Sequence, residues 1–472
     1  MYKQVFGAEV IAKSSELEAY FQWAFDNGIR LNKVLYPCRY PLGYMGIVAT
    51  ENVGPHETVV SVPNNLLITT RVAENSELGD LFREYDEFFD EDEGYYEDMV
   101  LVTYLIWEKN KGEQSKWFHF IRNQPKEYGV LQDWNVEELQ QLQDPEVVYD
   151  VKQQMAATMK RYTQWKKILL KSKVFTTDMT DYKEYLWALR ALSTRSFGKF
   201  CPYTTFAPIA EFFNHHNTVT YYYYGTFEAS VESAKRYVNF SVGEDHDDEL
   251  ILKKPVDYIS WRKVLKMVSQ QEIRPDSPLF KLVKEAESID NEERKKRENL
   301  DYGKPDPELL IERNEKALSI ITGNEIYEVG SEVYMSYGRY SNWMLLNTYG
   351  FALQDNIYDY ARIITTLEPF SSENRSAAIR NLDSSSTYMF KIKPNIICKE
   401  LLRIIRVLNW TDKYKTDACF SPGSAELELT ALNIMLKVLN DRLLSYPTTL
   451  NEDLEQLRTC QNVRIHFAVT HK

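Results

Sequence analysis

Residues 330–351 read GSEVYMSYGRYSNWMLLNTYGF, and residues 209–217, well upstream, read IAEFFNHHN. In the later stretch Gly330 supplies a turn. Strict alternation then puts Val333, Met335 and Tyr337 on one face and Glu332, Tyr334 and Ser336 on the other, which predicts a strand ending at Tyr337. Ser341-Asn342 and Tyr349-Gly350-Phe351 follow. In the earlier stretch an apolar run delivers Asn214 and His215. Each segment is commonplace alone, and their order along one chain is the specific signal.

Working outward, the chain has 472 residues, more than one ordinary core organises, so two or three packed units are expected. A hydrophobic share of 44% and a charged share of 26% are those of a globular protein. The net charge of −13, with no dominant basic stripe, argues against nucleic-acid binding and favours basic protein partners. The run DEFFDEDE at 86–93 could draw a basic tail, although a solvated surface is the commoner role of such a run. Five cysteines without a CxxC pair exclude zinc sites of the usual spacing and suit a reducing compartment. Cys201, near Lys199, reads as a packed or inert thiol. No apolar run approaches the roughly 20 residues of a membrane span. The first twenty residues lack a signal-peptide pattern. A cytoplasmic or nuclear protein is expected.

The local pattern divides the chain. Residues 15–30 predict a helix with Leu17, Tyr20, Phe21 and Phe25 at helical spacing, stopped by Gly28. Residues 42–70 predict short strands around Ile47-Val48-Ala49 and Val59–Pro63, split by Gly54-Pro55. Residues 71–190 become helical. Val100, Tyr104 and Trp107 mark one packing face, and Met155, Met159, Tyr162 and Leu169 another. Residues 200–252 return to strands, with Tyr221 to Tyr224 a strong β-former. The Glu-, Lys- and Arg-rich stretch 284–316 predicts an exposed helix followed by a loop, or a partly disordered insertion. Residues 354–472 predict helices, with a stripe of Leu432, Leu436, Leu439 and Leu443 and a capping box at Thr449 and Glu452.

At the predicted strand end Tyr337 offers a phenol hydroxyl that can donate or accept a hydrogen bond. Asn214 and His215 offer donors and acceptors for a polar ligand. Metal binding by His215 and His216 is disfavoured, because neighbours on a strand point to opposite faces. The Gly43-Tyr44-Met45-Gly46 turn lets backbone approach a ligand closely but lacks the GxGxxG pattern.

GYMGIVATENV at 43, SKWFHFI at 115, TRSFGK at 194, PIAEFFNHH at 208, GSEVYMSYG at 330, SNWMLLNTYGF at 341 and SYPTTLNEDLEQL at 445 together resemble SET-domain protein methyltransferases. The resemblance is to the branch typified by the Rubisco large-subunit methyltransferase and runs over nearly the whole chain. It implies an α+β fold: a β-rich SET core with pseudoknot-like threading, an inserted helical subdomain and an α-helical C-terminal substrate-binding domain. The implied divisions are 15–70, 71–190, 191–353 (with a charged insertion at about 255–318) and 354–472. It further implies transfer of a methyl group from S-adenosylmethionine to a protein lysine. A protein histidine, or an inactive scaffold that binds partners, are the alternatives. No metal is implied, and the expected form is a monomer acting on a basic protein segment.

Carried over by resemblance, Gly43, Tyr44, Met45, Arg195, Asn214, His215, Tyr337 and Phe351 would hold the cofactor, with Tyr337 catalytic. Arg195, Lys199, Glu211 and Tyr349 would meet the substrate. Tyr44 stands where relatives often carry a small residue, Lys199 replaces a common Arg, and Glu211 replaces a common Asp. The last two keep charge but change reach, which bears on substrate choice. Phe197 is apolar where the actin-histidine branch tends to be polar, which suits a lysine stem.

Overall fold

The computed structural model describes residues 9–10, 15–39, 45–85, 88–89, 96–198, 204–226, 316–366, 387–393, 398, 401–402, 404–406 and 425–472. Gly43, Tyr44, Lys199, Cys201, most of the acidic run at 86–93 and the charged stretch 284–315 therefore lie outside the described residues.

Strands β1 (Glu9–Val10), β3 (Val34–Arg39) and β4 (Met45–Ala49) form one sheet in the order β1-β3-β4. A second sheet has the order β2-β5-β10-β9, built from β2 (Arg30–Leu31), β5 (Thr58–Pro63), β9 (Thr220–Thr226) and β10 (Lys316–Thr322). β5 and β10 are its centre, and their β-branched runs are buried on both sides, as central strands require. Their antiparallel register sets Ser61 opposite Ser319, and the two buried hydroxyls satisfy each other at 2.7 Å. A third, short sheet has the order β6-β8-β7 from β6 (Ile68–Thr69), β7 (Ser196–Phe197) and β8 (Thr205–Phe206).

Helix α1 (Ser15–Asp26) ends where Gly28 takes φ +90°, and it buries Tyr20 and Ala24. Between β6 and β7 the chain inserts a helical block: α2 (Thr70–Glu74), α3 (Gly79–Glu84), α4 (Tyr96–Lys111), α5 (Phe118–Arg122), α6 (Val136–Gln140), α7 (Pro145–Ser172) and α8 (Tyr182–Arg195). Val100 and Tyr104 of α4 are buried and Trp107 packs beside them, as the spacing predicts. The face expected for α7 is corrected. Met155 and Met159 are 43% and 44% exposed, and the buried face is Val147, Val151, Thr158, Trp165 and Leu169. Trp165 wins the interior because its indole N–H finds the buried Thr103 hydroxyl at 2.9 Å. One continuous apolar core joins the block to the sheets, running from Val59 and Ile320 through Phe206 and Phe120 to Trp165.

After α9 (Asn342–Tyr349) the expectation of an all-helical C-terminal region is corrected. β11 (Ala361–Thr366) pairs antiparallel with β12 (Thr387–Ile392). The β-branched run Ile363-Ile364-Thr365-Thr366 accounts for the strand. Helices α10 (Ala425–Leu444), α11 (Leu450–Thr459) and α12 (Val463–His471) follow. The Thr449–Glu452 capping box is present at the start of α11. The chain turns at Cys460, and Asn462 caps a new helix. Among the described side chains of α10, Ala431 and Met435 are buried, packed with Ile363, Phe390 and Leu401, while Leu432, Leu436 and Leu443 are exposed. Helix α12 docks against the insertion and α9 in a third cluster that includes Trp134, Val147, Leu346 and Ala468. Arg464 joins this contact, bonding Glu138 at 2.9 Å and the Asp133 carbonyl at 3.2 Å.

Candidate active site

The two signature segments meet at the edge of β4. The stretch 330–337 is not the regular strand that its alternation predicts. Its first half bonds to β4, with Ala49 N–H to Ser331 O at 2.9 Å and Val333 N–H to Ile47 O at 2.8 Å. Its second half crosses to the 214–216 segment. Met335 N–H donates to Asn214 O at 2.8 Å, and His216 N–H donates to Met335 O at 3.1 Å. Isolated bridges Val48–Glu332 (antiparallel) and His215–Met335 (parallel) record the exchange. Where the segment is clamped against β4 it is buried, so Glu332 is 2% exposed beside fully buried Val333.

Glu332 is buried because it has partners. The Asn214 amide donates to Glu332 Oε1 at 2.7 Å and to the Met45 carbonyl at 2.8 Å. One side chain thus ties β4, the 209–217 stretch and the 330–337 stretch together.

His215 is 3% exposed. The Tyr337 amide donates to its Nδ1 at 3.0 Å, so the proton of the neutral ring sits on Nε2. That Nε2 is buried with no hydrogen-bond partner among the described residues. Burial, with the neighbouring His216 adding to it, pushes the imidazole down to about 4, so the ring is neutral at physiological pH. His216 turns away to face Tyr334, with ring centroids 5.0 Å apart. Among the described residues no three His, Cys, Asp or Glu side chains are placed to hold a metal.

Tyr337 lies half-buried over His215, with ring centroids 5.2 Å apart and planes at 28°. Its hydroxyl donates to the Phe213 carbonyl at 2.8 Å. Burial pushes the hydroxyl's pKa above the ordinary phenol range, so it remains a neutral phenol. Tyr349 stands 4.7 Å from Tyr337, and Phe351 stands 6.4 Å from Tyr337 and 6.1 Å from His215, centroid to centroid. The four rings form an aromatic enclosure. Gly350, between two of them, adopts φ +82° and closes α9 in the left-handed conformation that glycine favours. A Cβ there would come within 2.7 Å of the Tyr128 carbonyl, so the turn also packs too closely for a side chain.

Arg195, at the end of α8, donates to the Glu211 carbonyl at 3.3 Å and lies over Phe212. Its charge acts on Tyr337, Glu211 and Tyr128 together. Glu211 is buried, and desolvation pushes its carboxyl up to about 7 against the opposing pull of Arg195, Tyr20 and Gln124. The Tyr20 hydroxyl donates to Glu211 Oε1 at 2.9 Å and accepts the Ile209 N–H at 3.1 Å. Ile209 holds φ +73°, a costly conformation for a β-branched residue, persisting here because both flanks are pinned.

Of the residues picked out from the sequence, Met45, Arg195, Glu211, Asn214, His215, Tyr337, Tyr349 and Phe351 are thus linked by direct contacts or by the field of Arg195. Sequence reasoning passed over Tyr20, Tyr128 and Glu332. Glu332 left one trace, a carboxylate inside a run next to buried positions. Tyr20 carries only its helical spacing, a packing signal, and Tyr128 carries none in a chain with 32 tyrosines.

Comparison with known proteins agrees with this architecture. Residues 370–471 match the family described as Rubisco LSMT substrate-binding. The actin-histidine N-methyltransferase of Gallus gallus is 27% identical over 178 residues, 37% of this chain and 29% of the relative. The chloroplastic ribulose-1,5-bisphosphate carboxylase/oxygenase large subunit N-methyltransferase of Pisum sativum is 23% identical over 229 residues, 46% of this chain and 44% of the relative. The chain therefore spans less than half the length of either relative in these matches. Rubisco LSMT bound to sinefungin and monomethyllysine superposes with a TM-score of 0.61 at 15% identity, covering 97% of this chain and 88% of that one. The LSMT SET domain bound to lysine and AdoHcy superposes with a TM-score of 0.60 at 16% identity over 96% of this chain and 87% of that one. The chain therefore has the fold of the LSMT SET structures, and its residues 370–471 are similar to the Rubisco LSMT substrate-binding family.

Proposed function

We propose that this protein transfers a methyl group from S-adenosylmethionine to a protein side chain, and that the acceptor is lysine. One observation carries the reading: a neutral, pinned Tyr337 phenol stacked on the buried His215 ring inside an aromatic enclosure. The site fits the cofactor, because His215 Nε2 is a buried donor without a partner among the described residues and Asn214 holds its amide at the same edge. Met45, Asn214, His215 and Phe351, with Gly43 and Tyr44 from the adjoining turn, are the residues proposed to hold it. When bound, it supplies an electrophilic methyl on a sulfonium.

The chain's own residues supply positioning and dryness. The Tyr337 proton is committed to the Phe213 carbonyl, leaving the oxygen lone pairs to accept from a polarised C–H group. A phenol held above its ordinary range is no base at neutral pH, so Tyr337 orients and does not deprotonate. Tyr349 and Phe351 exclude water from an entering amine, and desolvation lowers the basicity of a lysine there, favouring the nucleophilic free amine. Arg195, Glu211 and Lys199 are proposed on the substrate side. Phe197, 8% exposed two residues beyond Arg195, supports an aliphatic lysine stem over imidazole. The histidine reading draws on the actin-histidine relatives.

Titration calorimetry with S-adenosylmethionine, followed by transfer of labelled methyl to a cell extract and mapping of the product by mass spectrometry, tests the proposal. Label on lysine supports it, label on histidine selects the second reading, and no binding of the cofactor refutes both.

A further inference from the structure

A strap of chain, Gln124 to Gly129, runs from the helical insertion to the aromatic enclosure. It is pinned along its length. The Trp187 indole donates to the Pro125 carbonyl at 3.1 Å, and the Trp134 indole donates to the Gly129 carbonyl at 2.7 Å. Its far end touches Gly350, between Tyr349 and Phe351. Its near end, Gln124, lies beside Glu211 and also lines a half-open cavity of about 490 Å³ between α4, α5 and α8. That is the size of an ordinary ligand pocket.

The charge of this cavity opposes that of the whole chain. Lys109, Arg122, Lys126 and Lys183 line it, against two carboxylates, Glu108 and Glu184. Glu184 is taken by Lys109 at 2.7 Å, and Glu108 by Lys111 at 2.8 Å and Ser115 at 2.6 Å. Lys126 and Lys183 have no ion pair among the described residues. Apolar floor is supplied by Phe118, Ile121 and Trp187. The Lys109 ammonium sits 4.0 Å over Trp187, and the Arg122 guanidinium lies 5.6 Å over Phe118 and pairs with Glu16 at 2.5 Å, so the cavity's uncompensated positive charge is that of Lys126 and Lys183.

We infer that the cavity and strap form a substrate exosite that takes an acidic segment of the protein substrate, a few residues from the acceptor side chain. Charge complementarity selects the occupant: a cleft of one sign over an apolar floor concentrates ligands of the opposite sign. Chain geometry sets the spacing. Lys126 is three residues from Gly129, hence at most ~11 Å from it, which is about three residues of extended peptide. The inference deepens the methyltransferase reading and uses it only to name the ligand as substrate. It also reverses, at this face, the basic partner that net charge alone suggests.

The test uses the full chain and three fluorescein-labelled twelve-residue peptides with a central lysine, whose flanks are glutamate-rich, serine-rich or lysine-rich. Fluorescence anisotropy at low salt should give at least ten-fold tighter binding of the glutamate-rich peptide than of either other. The doubly substituted protein Lys126→Glu/Lys183→Glu should lose that ten-fold preference, while Lys167→Glu, an exposed lysine elsewhere on α7, should keep it. Equal binding of the three peptides, preference for the lysine-rich one, or an unaltered preference in the double variant overturns the inference. The melting temperature of each protein with and without S-adenosylmethionine, measured alongside, reports folding and cofactor binding separately. A lost thermal shift therefore speaks against the methyltransferase reading, and a lost peptide preference against the exosite.

Discussion

The backbone amide of Tyr337 donates to Nδ1 of His215 at 3.0 Å across 122 residues of sequence, and the two rings stack above that bond. One imidazole thus sets both the height of the tyrosine and its own tautomer. The arrangement holds only while His215 stays neutral, because a protonated ring has no acceptor to offer.

Two buried groups should therefore give opposite pH dependences. His215 has its folded value lowered from 6.5 to about 4, so its stabilising neutrality is present above 6.5 and is lost as pH falls toward 4. Glu211 has its folded value raised from 4.5 to about 7, so its contribution is present below 4.5 and is lost as pH rises to 7. Between pH 4.5 and 6.5 the slopes oppose, each by up to about 1.4 kcal/mol per pH unit. Urea unfolding across this range should show Glu211→Gln gaining stability more steeply with rising pH than wild type, and His215→Asn losing it. Parallel curves for all three proteins would contradict the burial argument.

Replacing Tyr337 by Phe removes the hydroxyl bonded to Phe213 and keeps the ring on His215. Single-turnover methyl transfer should fall about 10²-fold, the usual loss for one oriented polar group in a dry site. Cofactor affinity by calorimetry should change by less than about three-fold, roughly 0.6 kcal/mol. A variant with full turnover would remove Tyr337 from the chemistry.

Tyr20→Phe should destabilise the fold although Tyr20 lies outside both signature stretches. The change leaves the Ile209 amide and Glu211 Oε1 without their shared partner in a buried place. A loss of about 1–3 kcal/mol is expected from denaturant titration. Tyr149→Phe, on an exposed tyrosine, should cost almost nothing by comparison.

Gly350→Ala combines a positive φ with a collision against backbone atoms of Tyr128 and Gly129 at 2.7–2.8 Å. None of these three atoms is the end of a flexible side chain, so the strap or the Tyr349–Phe351 turn must move. A drop in melting temperature of several degrees, together with a change in tyrosine fluorescence, is expected. Gly112→Ala is the control: its φ is also positive, at +57°, but it has open space around it.

Read alone, the sequence was enough to place α1, the β4 and β5 strands, the helical block, the Thr449 capping box and the ordered pair of signature segments. These are local matters, of hydrophobic period, caps and glycine turns, and need no knowledge of distant chain. It was also enough to single out Asn214, His215 and Tyr337, whose types and order are distinctive. Only the tertiary structure decided which face of α7 and α10 is buried, because Met155 and Leu436 are as apolar as the residues that displaced them. Only it turned residues 330–337 from a regular strand into a crossing clamped by β4 and the 214–216 segment, with Glu332 buried inside. Burial of Tyr20 and Glu332, and the meeting of the 124–129 strap with Gly350, depend on contacts between residues a hundred or more apart in sequence. Periodicity reports which side chains share a face of their own element and carries no information about which other element will cover it.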